Sequence, residues 1–155
     1  MGRIMGVDYG ERRIGLAVSD MSAMLAGNPL PTLDRKAVKG TPEAEVARLA
    51  EEWEVVEIVV GLPLNMDGSH GPSADAATEF AAKLAEISGL PVKSWDERLT
   101  TVVAQRVQVE INIPRGKRKQ KGRLDSTAAL LILQNYLDFR SARGSAVNSD
   151  QAPED

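Results

Sequence analysis

The chain has 155 residues, of which 43% are hydrophobic and 26% charged, a composition typical of one globular domain with a buried core. It contains no cysteine, which excludes disulfide frameworks and thiolate metal sites, and it shows neither a signal peptide nor an apolar run of membrane-spanning length. We therefore expect a cytoplasmic protein with no membrane partner. The net charge is −3, yet residues 115–123 carry six positive charges in nine positions, which indicates a local anion-binding segment on an acidic body.

The chain begins with two apolar runs, residues 4–7 and 14–18, separated by a short polar segment that contains Gly10. This pattern predicts a β-hairpin. The first run ends on Asp8, an acid that is costly to bury without a partner. Asp8 is either a turn residue that bonds its own backbone or a metal ligand, and this stretch taken alone favours the turn residue.

An edge strand and a helix follow the hairpin. Residues 24–26 begin a third strand, which Pro29 and Pro31 confine to the edge of a sheet. Thr41 followed by Pro42 predicts the start of a helix, with Thr41 as its N-cap. The apolar face of this helix is formed, at helical spacing, by Val46, Leu49, Ala50 and Trp53.

The middle of the chain predicts a buried strand, a loop and a second helix. The strand is the β-branched run at residues 55–60, and the polar loop 61–69 follows it. Ser73 is the predicted cap of a helix over residues 74–87, which ends at Gly89. The apolar side of this helix is formed by Ala77, Phe80, Ala81, Leu84 and Ile87.

The C-terminal part predicts one more strand, at residues 91–95, and two helices. The first helix is capped by Thr100 or Thr101 and precedes the basic segment. Asp125 opens the last helix, whose buried side is formed by Ala128, Ala129, Ile132, Tyr136 and Leu137. The end of the chain is small, polar and aperiodic, so residues 141–155 are predicted to be a disordered tail.

This order of elements predicts an α/β fold with a mixed sheet, in which the later strands run parallel to the first. Sites in such sheets form at the carboxyl ends of the strands. Three acids fall at equivalent places: Asp8 after the first strand, Glu97 after the last strand and Asp125 at the start of the last helix. Converging carboxylates repel one another, and a bound Mg²⁺ or Mn²⁺ would relieve that repulsion. Such a site can activate water and neutralise charge on a phosphodiester as it is cut.

Each acid also has a plainer explanation, which is favoured when the acid is taken singly. Asp125 is then a helix N-cap, and Glu97 is a solvated turn residue paired with Arg98. Their combination with the basic segment favours a nuclease, because a Lys/Arg-rich segment beside a metal site can hold phosphates. The predicted phosphate-binding residues are Lys117, Arg118, Lys119 and Lys121. Trp53 fits helix packing, and Trp95, although next to the predicted site, is assigned to the core rather than to base stacking.

The chain resembles the YqgF family in four segments that occur in this order and spacing: GVDYGERRIGLAVSD, VVGLPLNMDGS, DERLTT and KRKQKGRLDSTAALLIL. The family is described as RuvC-like proposed Holliday junction resolvases and, in bacteria, as the proposed nuclease that matures pre-16S rRNA. The resemblance covers about residues 3–139. It implies a ribonuclease H-like α/β fold, with a five-stranded mixed sheet of order 3-2-1-4-5 flanked by helices, in a nuclease domain spanning residues 1–140.

The resemblance also implies roles for individual residues. It carries the catalytic and metal-binding role to Asp8, Glu97 and Asp125, with Mg²⁺ or Mn²⁺ as the cofactor. It implies a functional position for the loop 61–69 and for the basic segment. The further residues predicted to bind nucleic acid are Arg12, in the hairpin turn, and Asn65, in this loop.

One departure from the RuvC pattern bears on the substrate. RuvC-type resolvases carry a second acid one turn further along the last helix, whereas this chain has Ala128 three positions after Asp125, and its next acid is Asp138. The predicted site therefore has three acids rather than four, unless Asp96 or Asp67 joins it. Maturation of pre-16S rRNA is the favoured function, and resolution of branched DNA is the alternative.

Two other classes of protein fit part of the pattern. A strand carrying Asp-Tyr-Gly before a hairpin also occurs in actin-like ATPases and sugar kinases, but those proteins enclose the nucleotide between two such domains. One domain of this length lacks that cleft unless a homodimer provides it. A non-catalytic RNA-binding ribosome-assembly factor would use the basic segment alone. The fold permits a homodimer, but no sequence feature fixes an interface.

Overall fold

The fold is a five-stranded mixed sheet with helices on both faces. The computed structural model describes the backbone of residues 2–99 and 121–151, and the side chains of residues 2–99 and 127–142. The strands are β1 (Arg3–Tyr9), β2 (Arg13–Ser19), β3 (Ala26–Asp34), β4 (Val55–Leu62) and β5 (Val92–Asp96). The helices are α1 (Pro42–Glu52), α2 (Pro72–Ser88) and α3 (Lys121–Gln151), and a 3-10 turn, Glu97–Leu99, follows β5.

The strand order is β3-β2-β1-β4-β5, which confirms the order implied by the family resemblance. β1 pairs antiparallel with β2 and parallel with β4, and β4 pairs parallel with β5. The ends of β1, β4 and β5 therefore lie along one edge of the sheet, beside the β1–β2 turn. This edge, which includes residues 8–12, 61–69 and 96–99, is called the carboxyl edge below.

Alternation of side chains along the strands separates two apolar layers. Met5 belongs to the layer covered by α1 and α2, where Phe80 is fully buried. Its neighbour Ile4 belongs to the opposite layer, which α3 covers. Trp95 lies in this second layer with 6% of its surface exposed and meets the Tyr136 ring edge-on at 6.2 Å. The predicted assignment of Trp95 to the core is therefore confirmed.

Gly6 allows α3 to approach β1 closely. A Cβ atom at this position would lie 2.7 Å from the Cβ of Leu133 and 2.9 Å from the carbonyl oxygen of Ala129. Both distances are shorter than van der Waals contact, so a larger residue would push the helix away from the sheet. Further along α3, the Tyr136 hydroxyl donates a hydrogen bond to the buried carboxylate of Glu57 and holds the helix against β4.

Local sequence signals set several boundaries as predicted. The Thr41 hydroxyl accepts a hydrogen bond from the Ala44 amide at 3.1 Å, which confirms Thr41 as the N-cap of α1. Gly89 ends α2 with a φ of 72°, the left-handed conformation that glycine adopts readily. β3 is an edge strand, as Pro29 and Pro31 predicted.

Other predicted boundaries were wrong by a few residues. β3 begins at Ala26 rather than at residue 24. α2 begins at Pro72 with Gly71 as its N-cap, because proline suits the first helical turn, so Ser73 lies inside the helix. Ile87 was predicted to be buried but is 50% exposed, since it lies beyond Leu84, the last buried residue of α2.

The last helix is longer than predicted. α3 starts at Lys121, so Asp125 lies inside it rather than at its N-cap; Lys121, Arg123 and Leu124 are good helix formers, and the helix also includes Gly122. α3 also includes residues 141–151, where the composition predicted a disordered tail, and the domain boundary at residue 140 stays a prediction. The predicted helix beginning at Thr100 or Thr101 lies outside the described residues. No helix within the described ranges combines the length and the apolarity needed to cross a membrane.

Candidate active site at the carboxyl edge

Asp8 lies near the end of β1, on the face of the sheet that α3 covers. It follows Gly6 by two residues, so both residues are on the same face, and Gly6 contacts α3. Asp8 is half-buried and pairs in register with Gly15 of β2. The hairpin turn closes further on, where the Gly10 amide donates a hydrogen bond to the Arg13 carbonyl at 2.9 Å. The interpretation of Asp8 as a residue of that turn is therefore wrong.

Glu97 begins the 3-10 turn after β5, and its carboxylate lies over Gly61 of β4. A Cβ atom at Gly61 would lie 2.5 Å from Glu97 Oε2 and 2.6 Å from Ile132 Cδ1. The glycine therefore provides the space that the carboxylate occupies. Because Ile132 belongs to the layer under α3, Glu97 and Asp8 share one face of the sheet.

Asp8 and Glu97 are close enough to interact electrostatically. Burial raises the pKa of Glu97 from its ordinary value of 4.5 to about 7, and the negative charges of Asp8 and then Asp96 add to this effect. An ionised carboxylate in such surroundings is unfavourable unless a proton or a cation neutralises it. The fold thus brings together two acids that the sequence placed at the ends of different strands.

The third predicted acid, Asp125, lies in α3 four residues before Ala129, which is about one helical turn. Its side chain is outside the described residues, and within the described residues no three acidic, histidine or cysteine side chains are placed to hold a metal ion. Lys121 is the first residue of α3, and its side chain is likewise not described. The other predicted phosphate-binding residues, Lys117, Arg118 and Lys119, lie outside the described residues. The third ligand and the basic segment therefore stay predictions.

Arg98 binds Asp96 rather than Glu97. Its Nε donates to Asp96 Oδ1 at 3.0 Å, and its second terminal nitrogen donates to Asp96 Oδ2 at 2.7 Å. The interpretation of Glu97 as the ion-pair partner of Arg98 is wrong, because the Glu97 side chain is directed at Gly61 instead. The hydrogen bond from Arg98 also lowers the pKa of Asp96, so this acid is already neutralised by a cation.

The loop of residues 65–69 is tied to Arg98 and to itself. Arg98 donates a hydrogen bond to the Met66 carbonyl at 3.2 Å. The amide side chain of Asn65 donates to the Ser69 hydroxyl at 2.9 Å, and Asp67 Oδ1 accepts from the Ser69 hydroxyl at 2.6 Å. Sequence analysis missed this network, since the Asp-Glu-Arg run after β5 gives no sign of a contact with a distant loop. Asn65 and Asp67 build the loop, and a role for Asn65 in nucleic-acid binding stays a prediction.

Arg12 lies in the β1–β2 turn at the carboxyl edge. It pairs with Asp34 at 3.6 Å, and 57% of its side chain remains exposed. The turn itself is held by Arg35, which donates hydrogen bonds to the carbonyls of Gly10 at 3.0 Å and Glu11 at 2.6 Å. The fold therefore presents Arg12 to solvent on the β1–β2 turn, and its contact with phosphate stays a prediction.

The raised pKa of Glu97 predicts a pH-dependent stability in the absence of divalent cations. The native state keeps a proton that the unfolded state loses, so the free energy of unfolding should fall as the pH rises from about 4.5 to about 7. The upper limit is about 3 kcal/mol, and roughly 2 kcal/mol is expected because the carboxyl is partly exposed. Urea denaturation in EDTA measures the effect. Glu97→Gln should remove this pH-dependent loss of stability. The control Glu86→Gln, at an exposed site on α2, should keep it. Equal pH profiles for the wild type and Glu97→Gln would contradict the assignment of the effect to Glu97.

Comparison with solved structures identifies the fold to which this sheet belongs. Thermus thermophilus RuvC in complex with a Holliday junction substrate matches with a TM-score of 0.64 at 12% identity, over 92% of this chain and 97% of that chain. The fowlpox virus Holliday junction resolvase matches with a TM-score of 0.54 at 13% identity, over 88% of this chain and 98% of that chain. The fold is that of the RuvC-like resolvases, which is ribonuclease H-like.

Sequence comparison shows the family of the chain. A family model described as "RuvX: Holliday junction resolvase" matches residues 2–139, and the chain belongs to that family. A relative from Halothermothrix orenii, named "Putative pre-16S rRNA nuclease", is 45% identical over 142 residues, which are 90% of this chain and 96% of the relative. A relative of the same name from Pelotomaculum thermopropionicum is 48% identical over 139 residues, which are 88% of this chain and 86% of the relative.

Proposed function

We propose that this protein is a metal-dependent endonuclease that hydrolyses phosphodiester bonds in the cytoplasm, with pre-16S rRNA near its 5′ end as substrate. The observation that carries the proposal is the pair of carboxylates, Asp8 and Glu97, at the carboxyl edge. Burial and the charge of Asp8 make the ionised form of Glu97 unfavourable unless a proton or a cation neutralises it, and the proposal assigns that role to a cation. The family and the names of the relatives support a nuclease and favour RNA as its substrate.

The residues at the carboxyl edge fit Mg²⁺ or Mn²⁺. Both ions prefer oxygen ligands, which Asp8 provides from the end of β1 and Glu97 from the turn after β5, and Asp125 in α3 is the proposed third ligand. When bound, such an ion lowers the pKa of water and neutralises charge on the phosphate. The chain's own contribution is to position the carboxylates: Gly61 makes room for Glu97, and Arg98 holds the turn that carries it.

The substrate is held by its backbone rather than by extensive base contacts. Only 4% of the residues are aromatic, which limits base stacking. Arg12 on the β1–β2 turn and the basic segment, Lys117, Arg118, Lys119 and Lys121, are the proposed contacts with the phosphates of the substrate. Water attacks the phosphorus and the 3′ oxygen leaves, which gives 5′-phosphate and 3′-hydroxyl ends by analogy with the fold.

Resolution of branched DNA is the second candidate function. The description of the family model favours it, since that description names a Holliday junction resolvase. The sequence argues against the RuvC route, because Ala128 stands where a fourth acid would follow Asp125. Three carboxylates still suffice for metal-dependent hydrolysis, so the two candidates differ in substrate rather than in chemistry.

Removal of divalent cations tests the proposal directly. The purified protein is incubated with a 5′-extended 16S rRNA fragment and with a four-way DNA junction, each in Mn²⁺ or in EDTA. We expect cleavage of the RNA in Mn²⁺ and none in EDTA, because the carboxylate pair alone cannot neutralise the charge on the phosphate. Cleavage of the junction alone would favour the second candidate. Binding of RNA without cleavage in either buffer would contradict the nuclease and favour an assembly factor.

A further inference from the structure

The Trp, Tyr and Phe side chains in the part of the chain that the structure describes all contact other residues, although Phe139 remains 46% exposed. The six aromatic residues of the chain all lie in that part. The Tyr9 ring is stacked on Phe80 at 4.3 Å and carries the Arg35 guanidinium at 4.7 Å, so its faces are already occupied. The others are Trp53 in the contact with Arg3, the buried Trp95 and Tyr136, and Phe139 beside Trp95. If the enzyme contacts a base at the cleavage site, another kind of side chain must provide the contact.

Two large apolar side chains are exposed at the carboxyl edge, Met66 and the less exposed Leu99, at 55%. Met66 is 92% exposed, the highest value among the exposed large hydrophobic residues of the described part. Its carbonyl accepts the hydrogen bond from Arg98, the residue that follows Glu97. Met66 therefore lies at the carboxyl edge, on a loop tied to the turn that carries Glu97.

Hydrogen bonds within the loop hold the backbone at Met66 before any substrate binds. Gly68 has a φ of +88°, a left-handed conformation that glycine adopts readily, so the chain can turn tightly at the tip of the loop. The Arg98 guanidinium lies next to Gly68. The backbone amide of Asn65 donates to the Ser69 carbonyl at 2.9 Å, and the backbone amide of Gly68 donates to the Asn65 carbonyl at 2.8 Å. A loop closed by these bonds needs little ordering on binding, so an exposed apolar side chain on it is ready for contact.

We propose that Met66 is a specificity-determining residue that packs against the face of an unpaired nucleobase next to the scissile phosphate. Methionine is flexible and polarisable and makes favourable contacts with aromatic rings through its sulfur. Apolar side chains, methionine among them, are also inserted between bases by nucleic-acid-binding proteins. This inference rests on the proposed nuclease function, and it adds a preference for substrates with an unpaired base at the cleavage site.

Paired substrates test the inference: an RNA duplex with one bulged 2-aminopurine, the same duplex without the bulge, and the DNA versions of both. Binding is measured in EDTA with the wild type, Met66→Ala and Met66→Leu, and with Ile87→Ala as a matched exposed apolar control on α2. We expect Met66→Ala to weaken binding of the bulged duplex about fivefold to tenfold, with no change for the continuous duplex. Met66→Leu should keep most of the affinity, and Ile87→Ala should keep all of it.

Fluorescence of the 2-aminopurine gives a readout that a purely structural role of Met66 would not change. Wild-type protein should change the emission of the bulged base on binding, and Met66→Ala should lose that change. Equal effects of Met66→Ala on bulged and continuous duplexes, or no effect on either, would overturn the inference. If the wild type binds the bulge through Met66 yet cuts nothing in Mn²⁺, the proposed nuclease function fails while the base contact stands.

Discussion

Asp8→Asn should abolish cleavage while leaving nucleic-acid binding nearly unchanged. The substitution keeps the size of the side chain but removes one of the two negative charges that the fold brings together at the carboxyl edge. Because the proposed cation is held by those charges, the rate of cleavage should fall by about 10²-fold or more. Phosphate contacts come from basic residues and do not require Asp8. Single-turnover cleavage in Mn²⁺ and binding in EDTA measure the two effects separately.

The matched control for Asp8→Asn is Asp75→Asn, which makes the same chemical change on the exposed surface of α2. It should cut at the wild-type rate. A further readout concerns Glu97, since the charge of Asp8 helps to raise its pKa. In Asp8→Asn this pKa should shift down towards 4.5, which carboxyl NMR titration in EDTA can follow. Wild-type cleavage by Asp8→Asn, or an unchanged Glu97 titration, would show that the two carboxylates do not form one site.

The parts of the fold that sequence analysis predicted well are fixed by local chemistry. Thr41 caps α1 through its own hydroxyl, and Gly89 ends α2 because it adopts a positive φ, so neither depends on distant residues. The strand ends could also be located from the apolar runs, and their parallel pairing puts Asp8 and Glu97 at the same edge of the sheet. Such signals are short-range, and a single sequence shows them directly.

The errors concern contacts between distant segments. Because Arg98 is adjacent to Glu97 in sequence, the two residues were expected to form an ion pair. In the structure, the Glu97 side chain occupies the space over Gly61 on the α3 face of the sheet, and Arg98 pairs with Asp96 instead. The hydrogen bond from Arg98 to the Met66 carbonyl joins the segment after β5 to the segment after β4. No pattern in the sequence around either residue predicts this bond. The role of Asp125 as third ligand stays a prediction, although its place in α3, four residues before Ala129, is compatible with it.

Gly61 connects the fold to the site, and Gly61→Ala should damage activity more than stability. The added methyl group would overlap Glu97 Oε2 at 2.5 Å and Ile132 Cδ1 at 2.6 Å. Both atoms are the ends of flexible side chains, so the protein can relieve the overlap at a cost of about 1–3 kcal/mol. Movement of the Glu97 side chain away from the added methyl group displaces its carboxylate. A misplacement of about 1 Å can reduce the rate of cleavage by about 10²-fold.

Gly27→Ala is the matched control for Gly61→Ala, because it also changes glycine to alanine within a strand but adds its methyl group where no atom lies within 4 Å. This variant should cut like the wild type and unfold at the same or a slightly higher urea concentration. Gly61→Ala should remain folded in urea titrations, bind RNA in EDTA and cut slowly in Mn²⁺. If Gly61→Ala cuts as fast as Gly27→Ala, the position of the Glu97 carboxylate over Gly61 does not matter for the chemistry. That result would contradict the assignment of Glu97 to the active site together with Asp8.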